Sequence, residues 1–185
     1  MQTVKTAIIG TGTMGRKYAQ MIAEGKALPL TLAAVVCRHA EGQQWAKDTL
    51  PATVRVCSSV EELYDHEQEF EAVLVVTPHS LHPELVMQAF AHGKHVLCDK
   101  PSASSLAPAL EMNRAAEQSG LVFAMMFPTS GATGSTSAFT SWSTAGSWDR
   151  SAASSWKTAG ISAHGCTTAP AAGVPAGRER AAALC

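Results

Sequence analysis

The sequence predicts an α/β protein built on a doubly wound parallel sheet. Three observations carry that prediction: short uninterrupted apolar runs, helical patterns between them, and a glycine-rich turn where the first run meets the first helix. Apolar runs without polar alternation suit strands covered on both faces. Regular strand–helix alternation builds a parallel sheet with helices on each side.

The elements follow in order. Val4–Ile9 is the first strand and Leu30–Cys37 the second. Between them Met14, Tyr18, Met21 and Ile22 recur at i, i+4, i+7 and i+8, and Gly25 follows as a stop signal. A short third strand is expected over Val54–Cys57, after which Ser59-Val60-Glu61-Glu62 has the form of a capping box opening a helix. Ala72–Val76 is the fourth strand. Pro83 suits the first turn of a helix whose Val86, Ala89 and Phe90 share a face, with Gly93 at its end. His95–Asp99 and Val122–Phe127 complete the set, and Leu106 and Leu110 begin the helix between them, which closes near Gly120. The expected strand order is 3-2-1-4-5-6.

Composition limits both the extent of the domain and its partners. The chain has 185 residues, of which Leu, Ile, Val and Met supply 34 of the first 127 but only 3 of the last 58. In those last 58, Ala, Ser, Thr and Gly account for 39. So few branched aliphatics cannot offset an ordering entropy of roughly 1–2 kcal/mol per residue. Trp142, Trp148 and Trp156 are too sparse to define a buried face. The expectation is a folded domain over 1–127 and a largely disordered tail over 128–185.

A net charge of −1 gives no basic field for nucleic acid. The longest apolar runs, such as Ala72–Val76, fall far short of the roughly 18 residues of a membrane span. Met1–Thr6 lacks a secretory layout, and five scattered cysteines argue against a disulfide framework, so a cytoplasmic protein is expected.

Gly10-Thr11-Gly12-Thr13-Met14-Gly15 places G-x-G-x-x-G between the first strand and the first helix. Gly10 permits a tight turn, Gly12 lets backbone approach a pyrophosphate, and Gly15 lets helix pack closely on strand. The free amides and helix dipole then receive a diphosphate. A nucleoside-triphosphate loop needs Lys and then Ser or Thr directly after the last glycine, where this chain has Arg16 and Lys17. The second strand ends Val36-Cys37-Arg38-His39, with no carboxylate before Glu41 to accept a ribose hydroxyl. Cys37 followed by Arg38 leans toward the 2′-phosphate of NADP over NAD. The competing reading of Arg38 is a solvated surface arginine.

Three further segments follow the glycine turn. They are Val75-Val76-Thr77-Pro78-His79-Ser80-Leu81-His82, Gly93-Lys94-His95-Val96-Leu97-Cys98, and Asp99-Lys100-Pro101. In this order the chain resembles the glucose–fructose oxidoreductase, inositol dehydrogenase and rhizopine-catabolism (Gfo/Idh/MocA) family over about Thr3 to Phe127. The resemblance implies a Rossmann domain binding NAD or NADP, and hydride transfer on a sugar, polyol or related hydroxyl compound. It implies that Thr77 and Pro78 lie beside the nicotinamide, with His79 next in the turn and His82 opening the following helix. Lys100 matches the lysine of the family's Glu-Lys-Pro signature, near the reacting carbon, with Asp99 in place of the usual Glu. Partial burial beside a cofactor suits a lysine to proton transfer; the competing reading is a surface lysine neutralised by Asp99. His79-x-x-His82 and His92-x-x-His95 lack the companion ligands of a zinc site, so no metal is expected. Cys57 and Cys98 read as small buried hydrophobes.

In the family an Asn-Gln-Arg segment and a second α/β domain follow. Here the tail takes another form. Written in G+C-rich codons and read one base earlier, Trp142–Ser151 can yield Leu-Val-Asp-Ser-Gly-Glu-Leu-Gly-Pro-Ile, which is family-like. The same offset lets Pro128–Gly131 yield Asn-Gln-Arg, and Gly173–Cys185 yields a further family-like stretch. The expectation is a frameshifted remnant of the second domain's start, the competing reading being a natural low-complexity tail. The family's remaining catalytic Asp and His belong to that second domain, so Lys100 alone remains and cofactor binding with little turnover is expected. The family forms homo-oligomers, an assembly in doubt for this chain. Alternatives of other classes are an NADP-binding sensor or regulatory module and an inactive fragment.

Overall fold

A computed structural model describes residues 3–126 of the chain. The tail readings, from the end of the sixth predicted strand at Phe127 onward, lie outside the described residues. Six strands run in order: β1 (Val4–Ile9), β2 (Leu30–Val36), β3 (Arg55–Cys57), β4 (Ala72–Val75), β5 (His95–Asp99) and β6 (Phe123–Met126). They form one sheet in the order β3-β2-β1-β4-β5-β6, with every pairing parallel. This is the predicted doubly wound order.

The helices are α1 (Thr13–Ala23), α2 (Ala40–Thr49), α3 (Val60–Tyr64), α4 (His82–Ala91) and α5 (Leu106–Ser119). Alternate strand residues feed opposite faces of the sheet. On one face Ile8, Val35, Leu74 and Leu97 pack with Tyr18, Ala19 and Ile22 of α1 and Ala46 of α2. On the other, Ile9, Val36, Val73, Val75 and Val96 pack with Leu63 of α3, Val86, Ala89 and Phe90 of α4 and Met112 of α5. Both faces are covered by helices, as continuous apolar strands require.

Local chemistry sets the helix ends. Gly25, Gly93 and Gly120 take positive φ of 71°, 67° and 66° after α1, α4 and α5. Ser59 caps α3 by accepting from the Glu62 amide, and Glu62 reaches back to the Ser58 amide at 2.7 Å, one residue before the capping residue. The second helix, α2, buries only Gly42 and Ala46 and so carries no apolar periodicity. Leu106 and Leu110 do open α5, but on its exposed side. Met112 is the helix's one fully buried residue among those described.

Candidate functional site

The register brings the carboxyl ends of the central strands together. Ile9 lies opposite Val75, and Val75 opposite Cys98, so the residues that follow each strand share one rim of the sheet. Open α/β sheets bind ligands at this rim, where the strand order reverses.

The glycine turn is shaped by crowding on one side and openness on the other. Gly10 has φ of 105°, and a Cβ there would stand 2.3 Å from the Val76 carbonyl oxygen. A Cβ on Gly15 would stand 1.9 Å from the Gly10 carbonyl oxygen. Side chains are excluded at both positions by backbone, which cannot yield. At Gly12 the same hypothetical atom meets nothing within 4 Å. That glycine caps α1, with no side-chain cap bond and no acid in the first turn. Thr13 is exposed and Met14 half-buried at the helix start. The result is an open helix N-terminus with unpaired amide donors, suited to an anion.

One feature of this end was missed from sequence. The Arg16 Nε donates to the Thr11 carbonyl at 3.1 Å, its Nη2 meets the Glu41 carboxylate at 3.0 Å, and the guanidinium lies 5.2 Å from the Trp45 ring centre. Arg16 therefore straps the glycine turn to α2. The contact joins residues 25 apart in sequence, and no local pattern announces it. The Gln43 amide also donates to the Cys37 carbonyl at 3.0 Å, fixing the end of β2.

The predicted ribose-reading pair divides. Arg38 is exposed and forms no ion pair among the described residues. Cys37 is buried beneath the turn, where desolvation raises its thiol pKa and a hydrogen bond with Thr11 partly opposes the rise. Its side chain supports the turn from behind. Glu41, the next carboxylate, is held by Arg16.

At the neighbouring rim, Thr77 and Pro78 follow β4, and Lys100 and Pro101 follow β5. Pro78, His79 and Lys100 are exposed, while Thr77 and Asp99 are half-buried. The Thr77 hydroxyl is shielded from solvent without a hydrogen-bond partner, a polar atom that a bound ligand could satisfy. Burial, and then the charge of Asp99, push the Tyr18 phenol up to about 12. His82 is only 1% exposed and belongs to the interior of this rim. Its Nδ1 lies 2.8 Å from the Pro101 carbonyl oxygen and its Nε2 2.7 Å from that of Thr77.

Elsewhere, Cys57 and Cys98 are fully buried, and desolvation raises their thiols to about 11 and about 12. Among the described residues no three His, Cys, Asp or Glu side chains converge as a metal site, and no helix is long and apolar enough to cross a membrane.

A parallel sheet with this order, a backbone-built anion seat after β1 and an unsatisfied hydroxyl beside it define a dinucleotide-binding Rossmann domain. The model of the Gfo/Idh/MocA oxidoreductase family, NAD-binding Rossmann fold, matches residues 4–127, and the chain belongs to that family. It is 34% identical over 123 residues to 2,7-anhydro-N-acetylneuraminate hydratase of Mediterraneibacter gnavus, covering 66% of this chain and 31% of that protein. It is 35% identical over 121 residues to scyllo-inositol 2-dehydrogenase (NADP(+)) IolU of Bacillus subtilis, covering 64% and 35%. The crystal structure of scyllo-inositol dehydrogenase from Lactobacillus casei with bound NAD(H) and scyllo-inositol superposes with a TM-score of 0.61 at 27% identity, covering 67% of this chain and 36% of that one. The chain thus spans about a third of the length of the curated relatives it matches.

Proposed function

We propose that the domain binds a nicotinamide dinucleotide with preference for NADP, and that it serves hydride transfer on a hydroxyl-bearing carbon of a sugar, polyol or related small molecule. The observation that carries the preference is the charge at the end of β2. Arg38 is an exposed cation with no ion pair among the described residues, and the nearest following carboxylate, Glu41, is engaged by Arg16. A 2′-phosphate would meet a cation there, while a 2′-hydroxyl would find no free carboxylate to accept its hydrogen bond. The relatives support the reading without deciding it, since one is named for NADP and the Lactobacillus casei enzyme carries NAD(H).

The division of labour follows from placement. The Gly10–Gly15 turn holds the diphosphate with main-chain amides. Thr77 and Pro78 border the nicotinamide, and the Thr77 hydroxyl is available to it. The dinucleotide, when bound, supplies the redox chemistry. Lys100 stands exposed at the carboxyl end of β5, where its ammonium can hold the substrate hydroxyl and exchange its proton. Asp99, in turn, is the charge nearest the lysine in sequence, and its charge helps to raise the Tyr18 phenol.

Fluorescence titration of the full chain with NADPH and NADH tests the preference. The expected outcome is tighter binding of NADPH, with Arg38→Ala weakening NADPH about tenfold and NADH little. Equal affinities that Arg38→Ala leaves unchanged would contradict it.

A further inference from the structure

The two rim segments that border the nicotinamide have no strand pairing of their own, since β4 ends at Val75 and β5 at Asp99. One buried side chain joins them. His82, at the start of α4, sets Nε2 against the Thr77 carbonyl at 2.7 Å and Nδ1 against the Pro101 carbonyl at 2.8 Å. Carbonyl oxygens only accept, so each contact needs an N–H from the ring. A neutral imidazole has one such donor. A ring that makes both bonds carries a proton on each nitrogen.

We propose that His82 is a positioning residue that donates from both ring nitrogens and thereby sets the spacing between the Thr77–Pro78 and Lys100–Pro101 segments at the nicotinamide end of the site. It touches neither cofactor nor substrate. Its ring is 1% exposed and fully engaged, which leaves no atom for a ligand. No ion pair to it exists among the described residues, and the charged neighbours along the chain are Asp99 and Lys100 beside Pro101 and Glu84 on its own helix. A histidine of β5 shows the opposite arrangement. The His95 Nδ1 accepts from the Val122 amide at 3.1 Å, so that nitrogen must be bare, and burial lowers the pKa of the ring. The difference between the two rings is one of partner chemistry.

The inference rests on the cofactor reading above, and the test separates the two. Nitrogen-15 spectra of the full chain without nucleotide, assigned through bonds to residue 82, should show two protonated ring nitrogens; one bare nitrogen would overturn the proposal. This measurement needs no variant. In parallel, wild type and His82→Gln are titrated with NADPH and with 2′-phospho-ADP-ribose, which lacks only the nicotinamide, and likewise with NADH and ADP-ribose. The expected result is about tenfold weaker binding of the dinucleotide by His82→Gln, with the fragment changed by less than about twofold. Equal losses for both ligands, or no loss for either, would overturn it, because general loosening of the fold does not single out the nicotinamide end. Wild type that binds neither dinucleotide would overturn the cofactor reading itself, a result distinct from wild type that binds and a variant that behaves identically.

Discussion

The two ends of the rim hold their shape by different means. After β1 the turn is made of backbone: Gly10 and Gly15 are fixed because Val76 and Gly10 carbonyl oxygens occupy the space a Cβ would need. After β4 and β5 the segments are joined through a side chain, with His82 between two carbonyls. A backbone-built seat tolerates almost no substitution at its crowded glycines but needs no partner from elsewhere. A seat held by a buried ring depends on one group from a helix placed by the rest of the fold. The first kind is written into a short motif, and the second emerges only from tertiary structure.

The sharpest way to break the comparison is at the glycines. Gly15→Ala forces a methyl to 1.9 Å from the Gly10 carbonyl and should cost about 3 kcal/mol of stability along with nucleotide binding. Gly12→Ala meets nothing within 4 Å and should change stability by less than about 1 kcal/mol while still weakening the dinucleotide about tenfold or more. Urea unfolding and fluorescence titration of the two variants check this pair. Comparable stability losses in both would contradict the crowded-and-open description of the turn.

Acid should act first at the β5 side. The His95 ring titrates below its ordinary value of 6.5 because burial disfavours the charged form. The unfolded chain then takes up its proton at higher pH than the folded one, so this contribution is complete above 6.5 and declines as pH falls through and below that value. Urea midpoints should drop between about pH 7 and pH 5, and His95→Asn should flatten that drop. A profile that His95→Asn leaves unchanged would contradict the assignment. The exposed carboxylates act in a lower window: Ser58 holds Glu62 below 4.5 and Arg55 does the same for Glu69, so their contributions persist until more acid pH.

The smallest effect concerns Arg16. Its pair with Glu41 is solvent-exposed and contributes about 0.5 kcal/mol to stability. Its removal has a different consequence for selectivity. Arg16→Ala frees Glu41 near the ribose end and should narrow the advantage of NADPH over NADH by about threefold, measured as a ratio of dissociation constants. An unchanged ratio would show that Glu41 does not reach the ribose.

Much of this architecture was legible in the sequence. Six apolar runs marked six strands, most clearly the central β1 and β4, which are almost wholly buried. The glycine spacing marked the turn because only glycine fits at its first and last positions, Gly10 and Gly15. What was hidden lacked a local pattern. Helix α2 buries Gly42 and Ala46, too little apolar surface to create a periodic signal. Cys37 sits where a ligand-lining residue was expected, yet a thiol at the end of a doubly covered strand turns inward. The Arg16–Glu41 strap and the His82 bridge join residues 25 and 19 positions apart, distances no periodicity spans. Arg38 and Lys100 were visible as residue types, while their exposure at the rim required the fold.

The central claim is that main-chain amides of the Gly10–Gly15 turn receive the diphosphate of a nicotinamide dinucleotide. Backbone amide NMR of the folded full chain, titrated with NADPH, tests it most directly. Saturable shifts largest at Gly12, Thr13, Met14 and Gly15, with the midpoint moved to about tenfold or more higher concentration in Gly12→Ala, are predicted. A folded chain whose turn amides stay unmoved at millimolar NADPH and NADH would contradict it.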